Sequence, residues 1–579
     1  MSPAEAAEAK QKEMVLDHPL EQTLGSPGKP RGKKPSPETI KMEEGEYLNL
    51  NLISNEESSE SPPGYPVTSS EEDELFGLTE HSETKQKVYV IVSQSIPVVI
   101  SFFLSIGGTF INLVFAGQYV HESGDKSAVF AGISLANMFA NVSCLSILIG
   151  MSSAVETLGS QHNGAGNYAE VGIVLQRSIL ILGLITVPIF FLWFFTSDIF
   201  QALGVEQEVC DVIRRFIRIR MLTIPMDVIN ESYEKYLMSI GVMNPSMWAN
   251  ISFNIFILAF DALFVYGFKL HYDCLAWSWV LSLYLSAFVQ IGLSLRYPAV
   301  LRTLQPWDKN ALTKWKEFIL LGLPGTVMLC SEWWAYEILT IFASLLGTSE
   351  VAAQTIIMQT ASLAFMIPLG MGVACASLVG NALGASKKEL AIDIGKLCIY
   401  TISIVEIIIG ITLFFLGSYF VDLFSNDNAV KEVGNRAVPF LSLFTMVDGL
   451  QGVASGVLRG AGKQFIGAVA NVVAFYAIGL PMAWVFCFSL DFGVNGLLTG
   501  LAFGTVFQVI VLVSMIFAFE TYVYSTDIAA SELLSPSRER KGFRKVKLDE
   551  DEESRHGIVM NTLVHNIVEA NRDDHHHHV

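Results

Sequence analysis

Two carboxylates sit in Cys330-Ser-Glu-Trp-Trp-Ala-Tyr-Glu337, inside the apolar run from Phe318 to Leu346, which holds no other charge. A charged side chain at bilayer depth costs about 2.5–3.5 kcal/mol on insertion scales, so an acid there marks a substrate pathway or a proton relay. A carboxyl group withdrawn from water can hold a proton and later release it beside another charge. Ionised, it attracts a cation; protonated, it lets the cation go. Glu332 and Glu337 lie five residues apart, about 140° around a straight helix. They do not both point squarely into one cavity, so either Pro324 bends the helix or the two acids face different neighbours. Trp333, Trp334 and Tyr336 flank them, and aromatic faces beside a carboxylate suit an organic cation, at about 0.5–2 kcal/mol per contact. The same angular argument turns at least one of these rings toward lipid or plain packing.

A second acid, Asp448, stands alone in its apolar run with Gly449, Gln451 and Gly452 beside it, small neighbours that leave room around the carboxylate. Asp227, Glu231 and Glu234 follow at i, i+4 and i+7 and share one helix face. Glu234 falls close to the end of that helix at Gly241, where solvation is expected, so Asp227 is the stronger candidate. Asn112, Asn137, Asn254 and Asp261 are further intramembrane polar groups suited to hydrogen bonds between helices. The plainer alternative is that the acids are neutral and bonded to backbone carbonyls.

These residues need membrane-spanning elements to hold them. The chain has 579 residues, of which 51% are hydrophobic and 16% charged. A hydrocarbon core of about 30 Å takes about 20 apolar residues per helix. On that measure the sequence predicts an all-α, polytopic membrane protein with twelve spans: 88–116, 128–156, 170–196, 211–238, 246–268, 273–295, 317–346, 351–380, 390–417, 433–458, 464–488 and 494–521. Basic residues in short loops set the orientation. Arg296, Arg302, Lys309, Lys314 and Lys316 follow the sixth span, Lys387 and Lys388 the eighth, and Arg459 and Lys463 the tenth. Those loops and both termini are therefore expected on the cytoplasmic side. Arg214, Arg215, Arg218 and Arg220 open the fourth span on the opposite side and depart from the rule, with snorkelling to the interface as the simple account. Proline recurs in the spans at 97, 188, 225, 324, 368, 439 and 481, where it removes a backbone donor and can bend a helix.

The two halves repeat. Gly164-Ala165 recurs as Gly384-Ala385, Asp227 as Asp448, Gly241 as Gly462, and Ala249-Asn250 as Ala470-Asn471, all at offsets of 220 or 221. This predicts two pseudo-symmetric six-helix lobes, 86–296 and 317–521, joined by a cytoplasmic linker at 297–316. Secondary transporters commonly place their substrate between such repeats. The net charge of −19 resides largely in the ends. Residues 1–85 are rich in Glu, Ser, Pro and Lys and read as a disordered acidic tail, with 522–579 a second cytoplasmic tail. Tyr47-Leu-Asn-Leu fits a tyrosine sorting pattern, and His575 to His578 resemble a purification tag. No basic leader opens the chain, so the first span is expected to direct insertion. Seven scattered Cys without CxxC pairs argue against a disulfide framework or a zinc site. The absence of GxxxxGK[ST], HExxH and a Ser/Lys dyad in the spans speaks against ATP hydrolysis and against a membrane-embedded enzyme.

Several segments together resemble the multidrug and toxin extrusion (MATE) family: Met151-Ser-Ser-Ala-Val-Glu-Thr-Leu-Gly-Ser-Gln161, Ile173-Val-Leu-Gln-Arg-Ser178, Leu329-Cys-Ser-Glu-Trp-Trp-Ala-Tyr-Glu337, Val379-Gly-Asn-Ala-Leu-Gly-Ala385 and Gly456-Val-Leu-Arg-Gly-Ala-Gly462. The likeness spans about residues 90–520 and neither tail, and the Glu-Trp-Trp-Ala-Tyr-Glu form is similar to the eukaryotic branch. It implies an antiporter that exports organic cations or other amphiphiles against a proton or sodium gradient by alternating access. It further implies Glu332, Glu337 and Asp448 as the exchanging acids. Gln359 stands where animal members carry a Glu in the eighth span, one titratable group fewer. The reading that results is a proton-coupled exporter, not an enzyme, without cofactor or metal. Its substrate and proton residues are Glu332, Glu337, Asp448, Gln359, Trp333, Trp334 and Tyr336, with Asp227 and Asn112 as N-terminal contributors. The expected partners are a small-molecule substrate and the lipid bilayer of a plasma or vacuolar membrane, with no nucleic acid and a monomeric chain. The alternatives are a sodium-coupled exporter and a lipid-linked glycoconjugate flippase of related two-lobe form, for which Arg214 to Arg220 are the only support.

Overall fold

The computed structural model describes residues 77–79, 81–118, 126–425 and 427–518. The tyrosine pattern at 47–50, the terminal His run, and nearly all of both expected tails lie outside them. The described chain is helical nearly throughout. Its first half runs α1 (Thr84–Gln118), α2 (Lys126–Ala140), a π turn at Asn141–Leu145, α3 (Ser146–Gly164), α4 (Tyr168–Phe194) and α5 (Thr196–Ala202). It continues through α6 (Gln207–Arg220), α7 (Ile224–Ser239), α8 (Asn244–Ala262) with a π turn to Gly267, and α9 (Cys274–Ser294). A short α10 (Pro298–Thr303) and a 3-10 turn at Lys309–Leu312 form the linker. The second half holds α11 (Trp315–Ser344), α12 (Thr348–Gly384), α13 (Lys388–Phe424) and α14 (Asn428–Gly460). It closes with α15 (Gln464–Val472), α16 (Leu480–Trp484) after a π stretch, and α17 (Gly493–Phe517).

Eleven of the resulting helical spans among the described residues are long and apolar enough to cross a membrane. The molecule is an all-α polytopic membrane protein. The expected fourth span is the exception, and its chemistry explains why. It consists of α6 and α7, joined through a 3-10 turn at Met221–Thr223 with Pro225 just inside α7. Arg214, Arg215, Arg218 and Arg220 load its first part, and Asp227, Glu231, Glu234 and Lys235 its second. The departure of its arginines from the basic-loop rule also has a physical account. Arg214 pairs with Asp198 at 3.2 Å and Arg215 with Asp273 at 3.9 Å. Arg218 lies over the Phe194 ring and Arg220 over the Trp279 ring, the latter at 4.1 Å.

The internal repeat is visible in the backbone. Left-handed residues occur at Gly166, Gly241 and Lys269 and again at Ser386, Gly462 and Asp491, at offsets of 220, 221 and 222. The π turn at Leu263–Gly267 recurs as Val485–Ser489 in the same register. In each case the chain leaves the turn through the same bond pattern, Phe268 N–H to Leu263 O and Leu490 N–H to Val485 O. Gly241 and Gly462 adopt φ of 73° and 70°, a conformation that costs a residue with a Cβ but not glycine.

The halves pack together toward the end of the helices where the basic loops lie. A Cβ on Gly164 would strike Asn381 O, and one on Gly384 would strike Gln161 O, so α3 and α12 cross at backbone contact in a reciprocal arrangement. Hydrogen bonds tie the same region: Asn163 to Asn381 at 2.7 Å, Gln161 to Gly460 O at 3.2 Å and Asn381 to Ser239 O at 2.9 Å. The contacts reach the middle of the helices at Cys330 and Ser146. The cysteines depart from expectation in one respect. Cys144, Cys210, Cys274, Cys330 and Cys487 are free and buried, but Cys375 and Cys398 form a disulfide between α12 and α13. The two face each other across adjacent antiparallel helices, a proximity that sequence spacing does not reveal.

Candidate functional site

α11 and α14 bring two of the predicted acids together. Glu332 and Asp448 are buried, at 7% and 4% exposure. Glu332 Oε2 accepts a hydrogen bond from Gln451 Nε2 at 3.1 Å, and the Tyr336 hydroxyl donates to Asp448 Oδ1 at 3.4 Å. The exchange is crosswise: each helix supplies one acid and one neutral donor to the other. The spacing explains it, since Glu332 and Tyr336 are four residues apart on α11, while Asp448 and Gln451 are three apart on α14. α11 is held at this level by Asn471, whose Nδ2 donates to Met328 O at 2.8 Å while its Oδ1 accepts from Gln508.

The five-residue interval separates the two acids of α11. Glu337 is exposed where Glu332 is buried, Trp333 and Tyr336 are half-buried, and Trp334 is 47% exposed. Gln359 on α12 is also exposed. It lies on the opposite side of that helix from Ala361, Ala364, Phe365 and Pro368, which line a cleft beside Asp448. That cleft, of ≈ 140 Å³ empty volume, is completed by Thr445, Gly449 and Glu406. It is too tight to admit a water molecule.

The N-terminal candidates fall in two places. Asn112 of α1 is fully buried and donates from Nδ2 to Asp261 Oδ2 at 3.3 Å and to Leu275 O at 3.1 Å. Asp261 also accepts from Ser278, so α1, α8 and α9 meet at one buried carboxylate. Asp227 is half-buried and accepts from Thr223 Oγ1 at 2.6 Å, inside its own helical break. Neither residue reaches the Glu332 and Asp448 pair through any hydrogen bond among the described residues.

Sequence reasoning missed two groups. Glu406 of α13 is 2% exposed and lies against α14 at Gly449. The rule that selected Glu332, an isolated acid in an apolar run, selects Glu406 equally. Glu156 of α3 is fully buried, with its Oε2 3.5 Å from Lys235 Nζ and 3.8 Å from Arg459 Nε. Arg459 and its loop look topogenic in sequence, and only the packing shows its guanidinium turned inward toward the other half.

A bundle of long apolar helices, repeated in two halves and holding buried carboxyl groups within and between them, is the architecture of a membrane transporter and not of an enzyme. The MatE family model matches residues 97–263 and 324–485. An uncharacterized transporter of Schizosaccharomyces pombe is 31% identical, over 72% of this chain and 76% of its own. Multidrug and toxin extrusion protein 1 of Homo sapiens is 29% identical over 70% of each chain. Among solved structures, the eukaryotic MATE transporter AtDTX14 superposes with a TM-score of 0.69 at 24% identity, covering 77% of this chain and 98% of its own. An outward-facing MATE family transporter gives 0.66 at 18% identity, covering 76% and 96%. At these identities the two structures show the fold alone. The chain belongs to the multidrug and toxin extrusion (MATE) family and is a secondary transporter of small organic substrates.

Proposed function

We propose that the protein exports organic cations in exchange for protons, with Glu332 and Asp448 as the groups that carry either species. The observation behind this reading is the crosswise pair itself: two buried carboxylates on different helices, each bonded to a neutral donor and to no cation. Such a pair accepts protons or a positively charged substrate, because each relieves the same deficit of positive charge. Tyr336 links the aromatic segment to Asp448, so a substrate cation resting on its ring would lie next to the acid. Glu337, Trp334 and Gln359, exposed here, and the half-buried Trp333 serve as outer contacts that the substrate meets before or after the buried pair. Asn112 and Asp227 contribute polarity to the first lobe.

The twelve spans form two six-helix lobes, with α6 and α7 together crossing as the fourth. The contacts between halves at the basic end support a state closed toward the cytoplasm, from which substrate leaves on the opposite face. The flippase reading needs free arginines lining a cavity. Here Arg214, Arg215, Arg218 and Arg220 are each engaged by an acid or an aromatic ring. Proteoliposomes holding the full chain, loaded with ethidium and given an imposed pH gradient, test the function. Export should follow the proton gradient, ignore a sodium gradient, and fall at least tenfold with Glu332→Gln or Asp448→Asn. Undiminished export by both variants would refute it.

A further inference from the structure

We propose that Glu406 is a further exchanging carboxyl group of the same site, electrostatically coupled to Asp448 across the cleft between α12, α13 and α14. This rests on the transport reading for its purpose, though not for its physics. Glu406 and Asp448 line one cleft of ≈ 140 Å³, whose other walls are Ala361, Ala364, Phe365, Pro368, Thr445 and Gly449. The cleft therefore offers the two acids no cation and few polar atoms. Glu406 is 2% exposed, and its Oε1 accepts no hydrogen bond among the described residues. A carboxylate buried for structural reasons is normally satisfied by donors, and this one is not.

The contact with α14 is shaped for the acid. A Cβ on Gly449 would collide with Glu406 Oε1, Cδ and Cγ, so the residue after Asp448 has to lack a side chain for Glu406 to lie where it does. Asp448 is then the shared member of two pairs: Tyr336 bonds it from α11, and Glu406 faces it from α13. The next charged groups on these helices are remote. Arg459 and Arg436 on α14 lie eleven and twelve residues from Asp448, about 17–18 Å along the helix. On α13, Lys396 is ten residues from Glu406, about 15 Å, and Asp393 thirteen, about 20 Å, the latter paired with Lys87 of α1. Of the other helices packed on α13, α17 carries no charged residue, α12 only Glu350 in its first turn, and α1 only Lys85 and Lys87 in its first turn. The groups that face Glu406 electrostatically are thus Asp448, and beyond it Glu332 and the Tyr336 hydroxyl.

Two carboxyl groups in one low-dielectric cleft cannot both be ionised without a compensating cation, so they titrate as a pair. The pair holds a proton in the empty site and surrenders it when a substrate cation arrives. Coupling of this kind is reciprocal, so each acid must sense removal of the other by the same factor.

The test is infrared titration of the protonated carboxyl bands of the purified full-length protein in lipid nanodiscs. Wild type, Glu406→Gln, Asp448→Asn and the double variant are compared. Each single variant should remove one titrating band and move the midpoint of the remaining one by about one pH unit or more, a tenfold change in proton affinity. Singles whose effects simply add up to the double, with no movement of the partner's midpoint, would overturn the proposal. Both substitutions are near-isosteric and each reports the coupling from its own side, so a folding failure of one leaves the other decisive. The same preparations, reconstituted for ethidium export, separate the two readings. Coupled titration without proton-driven export refutes the transport reading alone, and proton-driven export with uncoupled acids refutes this one alone.

Discussion

Glu156→Gln should open the basic end of the molecule. The carboxylate stands between Lys235 and Arg459, at 3.5 and 3.8 Å, with side-chain exposures of 0%, 9% and 13%. At an effective dielectric near 20, each attraction amounts to about 4 kcal/mol before desolvation is counted. Removing one partner from a buried ion cluster typically costs about 3–5 kcal/mol, because the remaining charge is left unpaired. Here two cations remain facing each other across the junction of the halves. Separation of α14 from α3 and α7 returns them to water, so the cost falls on the closed state and much less on an open one. A third of the lower figure, about 1 kcal/mol, already moves the equilibrium by about fivefold. The assay is bismaleimide cross-linking of Asn163→Cys with Asn381→Cys, whose native side chains are hydrogen-bonded across the junction at 2.7 Å. Cross-linking should be fast and near complete with Glu156 present and should drop several-fold in the Glu156→Gln background, while thermal melting shows a folded protein. Equal rate and extent in both backgrounds would refute the role of this cluster in closure.

Three further outcomes follow from the same geometry. Glu332→Gln should reduce ethidium export far more than Glu337→Gln, because only Glu332 is buried and bonded to α14; equal defects in the proteoliposome assay would place both acids in one cavity. Tyr336→Phe removes a hydroxyl from a buried carboxylate that has few other donors, an effect of about 1–3 kcal/mol, and should slow export while leaving the melting temperature near wild type. Gly384→Ala places a Cβ against Gln161 O at the crossing of α3 and α12, and should reduce the same 163–381 cross-link without touching any charged group.

Eleven of the twelve spans, the repeat and the burial of the acids of α11 and α14 were legible because each leaves a mark along the chain. Apolar length marks a helix, a shared offset marks a repeat, and an isolated acid in an apolar run marks a buried polar group. The angular separation of Glu332 from Glu337 was legible too, since helical geometry alone fixes it. What the sequence did not show depends on which helices are neighbours. The Cys375–Cys398 bridge, the pairing of Glu156 with Lys235 and Arg459, and the facing of Glu406 with Asp448 all join distant parts of the chain, and no periodicity encodes them. The fourth span differs. Its Arg214 to Arg220 run departs from the basic-loop rule, with snorkelling to the interface as the simple expectation, and the arginines instead meet Asp198, Asp273, Phe194 and Trp279.

The two charged systems share one element. α14 carries Asp448 in the site and Arg459 in the junction, eleven residues apart on a single helix. Small residues line the helix along this stretch: Gly456 and Gly460 press on the backbone of Gly372 and Ala376, and Gly449 and Gly452 on the side chains of Glu406 and Phe365, so α14 lies at backbone distance from α12 and takes a side chain of α13 against its own backbone. A helix packed that closely moves as a unit, or by a bend at Pro439, and not by local side-chain adjustment. Under the proposed function, loading Asp448 with a proton or a cation would alter what α14 gains from its place beside α11 and α13. The same displacement would bring Arg459 toward Glu156 or take it away. Exchange at the site and closure at the basic end are on this argument two readings of one helix position, which is the physical link an alternating-access transporter requires.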